Sequence, residues 1–433
     1  MEEELPGETY MGPMAIAEPL PPQTLQDTHV PRGLLEGLAL KLLVLEGGLS
    51  ILDLAERICL TLPVTEELCN ALRKDQLCEV KGTVGRYYRL DYHLTPTEKG
   101  RAQALELFSR NQYAGPAPVP LTEYDVRVHS QSIQQVKVTP ADLAKALHGL
   151  VLDPELVKRL GGAAVSGTSA FLYGPPGTGK TSVATRLRLI YSDFIWIPYA
   201  IEVDGQIVTV FDSGVHRRMT PPGISESDRR WALCERPCVL AAGELSPQML
   251  ELQFNPVTQF YSAPLQMKAN NGILIVDDFG RQAISPEALL NRWLTPLDRR
   301  VDYLSLSSGT KFAVPFDIFV VFATNLDPHR LADNAFQRRI PHKIVMDYAT
   351  PKQFMEIFRR ECEVRLLSPD TGMDQWLVDY VSKEMKQPLC QSYPRDLLQQ
   401  LFWAATYLGG EPQLTVDALE QACRNYFPIS KQI

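Results

Sequence analysis

The sequence predicts an α/β fold: a parallel sheet flanked by helices, with a helical domain after it and a small α+β domain before it. Three observations carry that prediction. Gly174-Pro175-Pro176-Gly177-Thr178-Gly179-Lys180-Thr181 matches the pattern G-x-x-x-x-G-K-[ST] in full, between a strand-like run and a helix-like one. Two further apolar runs, residues 273–276 and 318–322, end in polar residues. Four helical patterns fill residues 351–426.

The run Ala170-Phe171-Leu172-Tyr173 reads as a strand and residues 181–190 as a helix. A strand feeding a glycine-rich turn and a helix N-terminus makes an anion cradle of backbone N–H groups. Lys180 is placed to reach β- and γ-phosphates and Thr181 to hold Mg²⁺. Gly174, Pro175, Pro176, Gly177, Thr178, Gly179 and Ser182 complete the phosphate-binding set. Residues 273–276 form the continuous apolar run of a strand buried on both faces, and it ends in Asp277-Asp278. A carboxylate there faces the crevice at the sheet edge: Asp277 for the cation, Asp278 for the attacking water. Residues 318–322 lead into Ala323-Thr324-Asn325, which puts the Asn325 amide at the same edge. Glu244, after the apolar run 238–242 and Gly243, is a second candidate acid; a helix-start charge before Ser246-Pro247 explains it equally well.

At 433 residues the chain has room for about three domains, and 45% apolar residues supply their cores. A net charge of −8 argues against a chain dominated by nucleic-acid or acidic-membrane binding, while leaving room for a local basic patch. The eight cysteines show no paired C-x₂-C spacing and read as buried thiols of a reducing cytosol. With no signal peptide and no long uncharged apolar stretch, a cytoplasmic protein without a membrane span is expected.

Residues 1–30 are acidic and proline-rich and read as a mobile tail. Within residues 31–111, helices are expected at 32–45, at 50–60 capped by Ser50, at 65–74 capped by Thr65, and at 95–108; strands are expected at 77–81 and 87–93. That order resembles a winged helix-turn-helix, whose typical closing phrase is matched by residues 94–101. Its third helix shows Glu66, Glu67, Arg73 and Lys74 outward, which is not a basic reading surface, although Lys81, Arg86 and Arg89 on the wing suit phosphates. Protein contact is therefore favoured over DNA. Residues 112–134 read as a proline-rich extended linker, 135–348 as the α/β core and 349–433 as a helical lid. Two hairpins are expected: 200–203 with 206–211 around Asp204-Gly205, a type I′ turn signal, and 301–306 with 310–314 around Ser307-Ser308-Gly309.

Over residues 135–433 these motifs, in this order, resemble an AAA+ ATPase. The resemblance makes Gly174 to Thr181 the Walker A motif, Ile273 to Asp278 Walker B, Asn325 sensor 1, Arg338 or Arg339 the arginine finger, and Arg395 sensor 2. The 301–314 hairpin resembles a pre-sensor-1 hairpin, and the long interval between the Walker motifs a helix-2 insert of the magnesium-chelatase and MoxR kind. More narrowly, IPYAIEVDGQIVTVFD and APLQMKANNGILIVDDFGRQ resemble a bacterial group labelled ATPases with chaperone activity associated with Flp pilus assembly. The resemblance implies ATP and Mg²⁺, a finger acting across subunits, a ring-like homo-oligomer expected as a hexamer, and remodelling of a protein substrate; Phe260-Tyr261 and the 307–309 tip are the candidates to grip it, with packing of both rings against the insert the favoured reading of that pair. A DNA-binding regulator and a slow nucleotide switch are the alternatives. Two departures stand out: Walker B ends Asp-Asp where Asp-Glu is commoner, and Asp333-Asn334 replaces a pair of acids before the finger. The kinase-like phrase Asp278-Phe279-Gly280 lacks the other kinase motifs and is set aside.

Overall fold

The computed structural model describes residues 17–83, 92–220, 227–327 and 337–427. Five strands form the core sheet, in the order Cys238–Ala241, Ile273–Val276, Phe319–Thr324, Ser169–Tyr173 and His342–Val345, and every pair is parallel. Ile273–Val276 and Phe319–Thr324 are buried along their whole length, as apolar runs covered on both faces must be. After Ser169–Tyr173 the chain crosses to the far edge, returns strand by strand, and then passes to the other side. That reversal beside Ser169–Tyr173 opens a crevice at the C-terminal ends of the strands. Pairing of Val276 with Phe322 and of Thr324 with Tyr173 brings those ends level. Under them Phe171, Phe279 and Phe322 form a ring cluster with centroids 5.0–6.0 Å apart.

A second sheet, of order Gln253–Asn255, Phe260–Ser262, Gln206–Thr209, Ala200–Val203 and Val119–Pro120, lies beside the core. Its hairpin turns through Asp204 and Gly205, both at positive φ (50° and 76°), the backbone a type I′ turn requires. The hairpin precedes Cys238–Ala241, the second core strand along the chain. It is therefore inserted after the first core helix, Lys180–Leu187; between Cys238–Ala241 and Ile273–Val276, where the second core helix is expected, a different hairpin, Gln253–Asn255 with Phe260–Ser262, separates the short helices Pro247–Leu250 and Leu265–Lys268.

The linker expectation is also corrected. Val119–Pro120 pairs in parallel with the second sheet, at an edge where proline's missing N–H costs no ladder bond, and Leu121–Ser130 is helical. Tyr124, Val128 and Ile133 are buried, so residues 119–135 are built into the body. Residues 17–30 are not a free tail either. Leu25 and Val30 are buried, Asp228 donates its N–H to Pro19 O at 2.8 Å, and the Thr61 hydroxyl donates to Pro22 O at 2.7 Å.

The N-terminal domain packs helices Arg32–Leu45, Ile51–Ile58, Leu62–Lys74 and Glu98–Arg110 on a three-stranded antiparallel sheet of order Leu49–Ser50, Tyr92–Pro96, Cys78–Thr83. Ser50 caps the second helix as expected. The third begins at Leu62, after Thr61 at the N-cap position and about one turn earlier than expected, with a proline in its first turn; Thr65 lies inside it and donates to Thr61 O at 2.9 Å. The last helix is capped by Thr97, because the preceding strand runs on through Pro96. Arg86 and Arg89 fall outside the described residues. The domain is not independent of the second sheet: Tyr113 meets Phe260 edge-on at 5.6 Å.

The proposed gripping aromatics belong to these cores. Tyr261 is 3% exposed, packs on Phe254 at 4.9 Å and accepts the Ser307 N–H on its hydroxyl at 3.0 Å. Phe260 is half-buried against the N-terminal domain. Ser308 and Gly309, at the tip of the hairpin Val301–Ser305/Lys311–Pro315, stay exposed.

Helices Pro351–Val364, Met373–Asp379, Tyr393–Tyr407 and Val416–Tyr426 form the lid around Phe354, Phe358, Leu377, Leu397 and Leu419. Thr350 and Gln353 close a capping box at its start.

One buried carboxylate joins the parts. Asp317 accepts hydrogen bonds from Ser132 Oγ (2.8 Å), Ile133 N (2.8 Å), Asn271 Nδ2 (2.7 Å) and Arg300 Nη2 (2.9 Å). Asp317→Ala strands the Arg300 guanidinium in a largely buried site and is expected to cost about 3 kcal/mol. A clear drop in the urea midpoint checks this; an unchanged midpoint refutes it.

Candidate nucleotide-binding site

Gly174, Gly177 and Gly179 take φ of 146°, 75° and 78°, conformations that L side chains avoid. At Gly174 space adds to the demand: a Cβ there would lie 2.0 Å from Met346 O. The helix Lys180–Leu187 starts at Gly179 with no side-chain cap, so its first N–H groups stay available to an anion. Lys180 Nζ lies beneath the loop, donating to Gly174 O at 2.9 Å and Pro175 O at 2.6 Å. Burial pulls its pKa down, opposed by the nearby carboxylates of Asp277 and Asp278. Thr178 donates to Pro175 O at 2.9 Å and stiffens the turn.

Thr181 Oγ1 lies 3.0 and 2.9 Å from the two carboxylate oxygens of Asp277, whose strand is separated from Ser169–Tyr173 by Phe319–Thr324. A hydroxyl and a carboxylate are the hard oxygen donors that Mg²⁺ takes, with waters and phosphate oxygens supplying the rest. These residues fit that ion. Among the described residues no group of three or more His, Cys, Asp or Glu gathers elsewhere as a metal site.

Asp278 follows at φ 49°, exposed, with Asn325 at the end of the neighbouring strand. Both line a cavity of about 520 Å³, together with Pro176, Gly177, Thr178, Gly179, Lys180, Thr181, Ser182 and Asp277. Arg395 enters it from the lid, its guanidinium 2.9 Å from Asp396. The lid also grips the loop directly: Ser392 N donates to Gly177 O at 3.1 Å.

Other candidates lie elsewhere. Glu244 does not line the cavity; its carboxylate accepts the Ala242 N–H at 3.0 Å, which lowers its pKa. Arg338 and Arg339 precede His342–Val345, at the opposite end of the sheet. Ser169 donates to Arg339 O at 3.0 Å, and Arg339 pairs with Asp298 at 3.7 Å. Ser169 starts the strand whose far end enters the glycine loop, a rise of roughly 13 Å at about 3.3 Å per residue. The arginines thus stand away from their own chain's loop.

Sequence reasoning missed two walls. Residues 149–152 supply one, with Leu150, Val151 and Leu152; Ile357, Arg360 and Glu361 on the first lid helix supply the other. The spacing i, i+3, i+4 of the latter marks one helix face, but a buried core face has the same spacing.

A family model described as a domain of unknown function (DUF8689) matches residues 350–425, the lid. No curated protein matches the chain. Among solved structures, the RuvB Holliday junction branch migration motor of Thermotoga maritima is 13% identical with a TM-score of 0.35, covering 66% of this chain and 70% of its own. Domain III of the Thermotoga maritima replication initiation protein DnaA is 12% identical with a TM-score of 0.38, covering 67% and 99%. Likeness at this level leaves the activity to be judged from the site's own residues.

Lys180→Ala removes the loop's one side-chain cation and is expected to weaken triphosphate binding by roughly a hundredfold, since charge-assisted hydrogen bonds contribute about 1.5–3 kcal/mol. Titration with a fluorescent ATP analogue measures this, and wild-type affinity in the variant would refute the assignment of the loop.

Proposed function

We propose that this chain is an AAA+ ATPase that binds ATP with Mg²⁺, hydrolyses it, and works in a ring-like homo-oligomer to remodel a protein substrate. The observation that carries the reading is convergence at one sheet edge. A buried lysine, a hydroxyl–carboxylate pair suited to Mg²⁺, a second carboxylate and an amide share one cavity with a lid arginine. Lys180 and the loop N–H groups hold the phosphates, and Thr181 and Asp277 hold the cation. Asp278 polarises water that Asn325 orients. Arg395 reports the occupied site to the lid. The apolar wall 150–152 suits the flat face of a nucleobase.

The placement of Arg338 and Arg339 supports action across subunits. A neighbouring copy presenting that edge to the cavity would bring an arginine to the developing charge. No helix among the described residues is long and apolar enough to cross a membrane. A link to pilus assembly rests on the phrase resemblance alone.

Asp278→Asn keeps the cation ligand but removes the base. Phosphate release is expected to fall about a hundredfold with ATP still bound; undiminished turnover would move the base elsewhere. Arg339→Ala should lower turnover on the order of a hundredfold with affinity intact. Mixing it with Lys180→Ala should recover part of the activity, because an intact finger then meets an intact loop. No recovery at any ratio would point to a self-sufficient monomer.

A further inference from the structure

Asp278 and Asn325 sit on different segments, and something must keep them in register. Thr324 lies between them in space and is 1% exposed. Its hydroxyl donates to Phe279 O at 2.7 Å, the residue after Asp278, and accepts from Leu326 N at 3.1 Å, the residue after Asn325. Its own carbonyl accepts the Gly174 N–H at 3.3 Å, the first residue of the phosphate loop. Phe279 N donates to Ala323 O at 2.8 Å, so the turn is held to this strand on both sides of the Phe279 residue.

The turn needs that hold. Asp278 occupies the left-handed region at φ 49°, a conformation non-glycine residues keep only where the surroundings over-determine it. Gln282 helps, donating to Asp277 O at 2.7 Å and accepting from Gly280 N at 2.8 Å. Beside the backbone bond from Phe279 N to Ala323 O, the Thr324 hydroxyl is, among the described residues, the side-chain group that bonds both the turn of the acid and the segment of the amide.

We propose that Thr324 is a positioning residue for hydrolysis: its side-chain hydroxyl clasps the Asp278 turn to the Asn325 strand end, so that acid and amide face the attacking water as one unit. The proposal rests on the ATPase reading above. Without the clasp the loop and cation ligands remain, so binding persists, while the acid drifts from its place. Misplacement of a reacting group by about 1 Å can lower a rate by roughly a hundredfold.

The test compares the full-length wild type with Thr324→Val, which keeps the shape and loses the hydroxyl, and with Thr324→Ser, which keeps the hydroxyl. Phosphate release and affinity for a fluorescent ATP analogue are measured for each. The expected result is unchanged affinity with kcat down on the order of tenfold to a hundredfold in the valine variant, and turnover restored in the serine variant. A structural threonine would predict something else: affinity and kcat falling together with the unfolding midpoint. That pattern, a valine variant as fast as the wild type, or a serine variant as slow as the valine one, would overturn the proposal. If the valine variant does not fold, Thr324→Cys, with similar volume and a weak donor, takes its place under the same criteria. A wild-type chain that binds ATP yet never releases phosphate overturns the hydrolysis reading and this proposal with it. That outcome is distinct from turnover that ignores Thr324.

Discussion

Parallel pairing of Ser169–Tyr173 with Phe319–Thr324, and of that strand with Ile273–Val276, decides where the glycine loop, Asp277, Asp278 and Asn325 lie. In a parallel sheet all strands end on the same side. The chain therefore needs only short extensions past those ends to bring a glycine loop, two aspartates and an asparagine into one crevice. A one-residue slip would turn each buried side chain to the other face and separate Asp277 from Thr181. The Phe171, Phe279 and Phe322 cluster opposes such a slip, since its rings come from all three segments and interlock.

The polar buried groups do a related task at the other end of the sheet. Arg236 pairs with Asp193 at 2.6 Å and donates to the carbonyls of Gln131 and Asn271. Asn271 in turn donates to Val128 O and to Asp317. These bonds tie the segment before the core, at Val128 and Gln131, to the core at Asn271 and to Asp193 and Arg236, which flank the paired strands Phe194–Pro198 and Trp231–Glu235. Breaking one such pair leaves a charge without water or partner, so these three parts are expected to behave as one body.

The core was legible in the sequence because its signals are local: a glycine pattern fixes a loop, and continuous apolar runs fix buried strands. The Ser50 cap and the Asp204-Gly205 turn were legible for the same reason. What escaped depends on distant partners. Proline-rich 112–122 looks like a linker until Val119 finds Ile201 across the sheet. Residues 17–30 look like a tail until Leu25 and Val30 find a core. The hairpin was read correctly in itself, but its place before Cys238–Ala241 is a matter of strand order, which periodicity does not encode. Phe260 and Tyr261 stay open in the sequence between a gripping role and packing, with packing favoured, because alternation along a strand says which side a ring takes, not whether that side is covered.

The lid is joined differently, and that difference bears on how the site could work. Between core and lid run Ser392 N to Gly177 O, Ala349 N to Leu389 O, and Gln391 Nε2 to Asp347 O. These are neutral hydrogen bonds, each with a net contribution of about 1 kcal/mol, whereas disrupting a buried ion pair costs roughly 3–5 kcal/mol. Residues 350–427 meet the core through these bonds at the 347–350 and 389–392 segments. Arg395, Ser392, Arg360 and Glu361 all ride on that body and all line the cavity. A ligand filling the cavity would touch both the core and the lid. The contact from Ser392 N to Gly177 O ties the glycine loop to the N-cap of the lid's third helix.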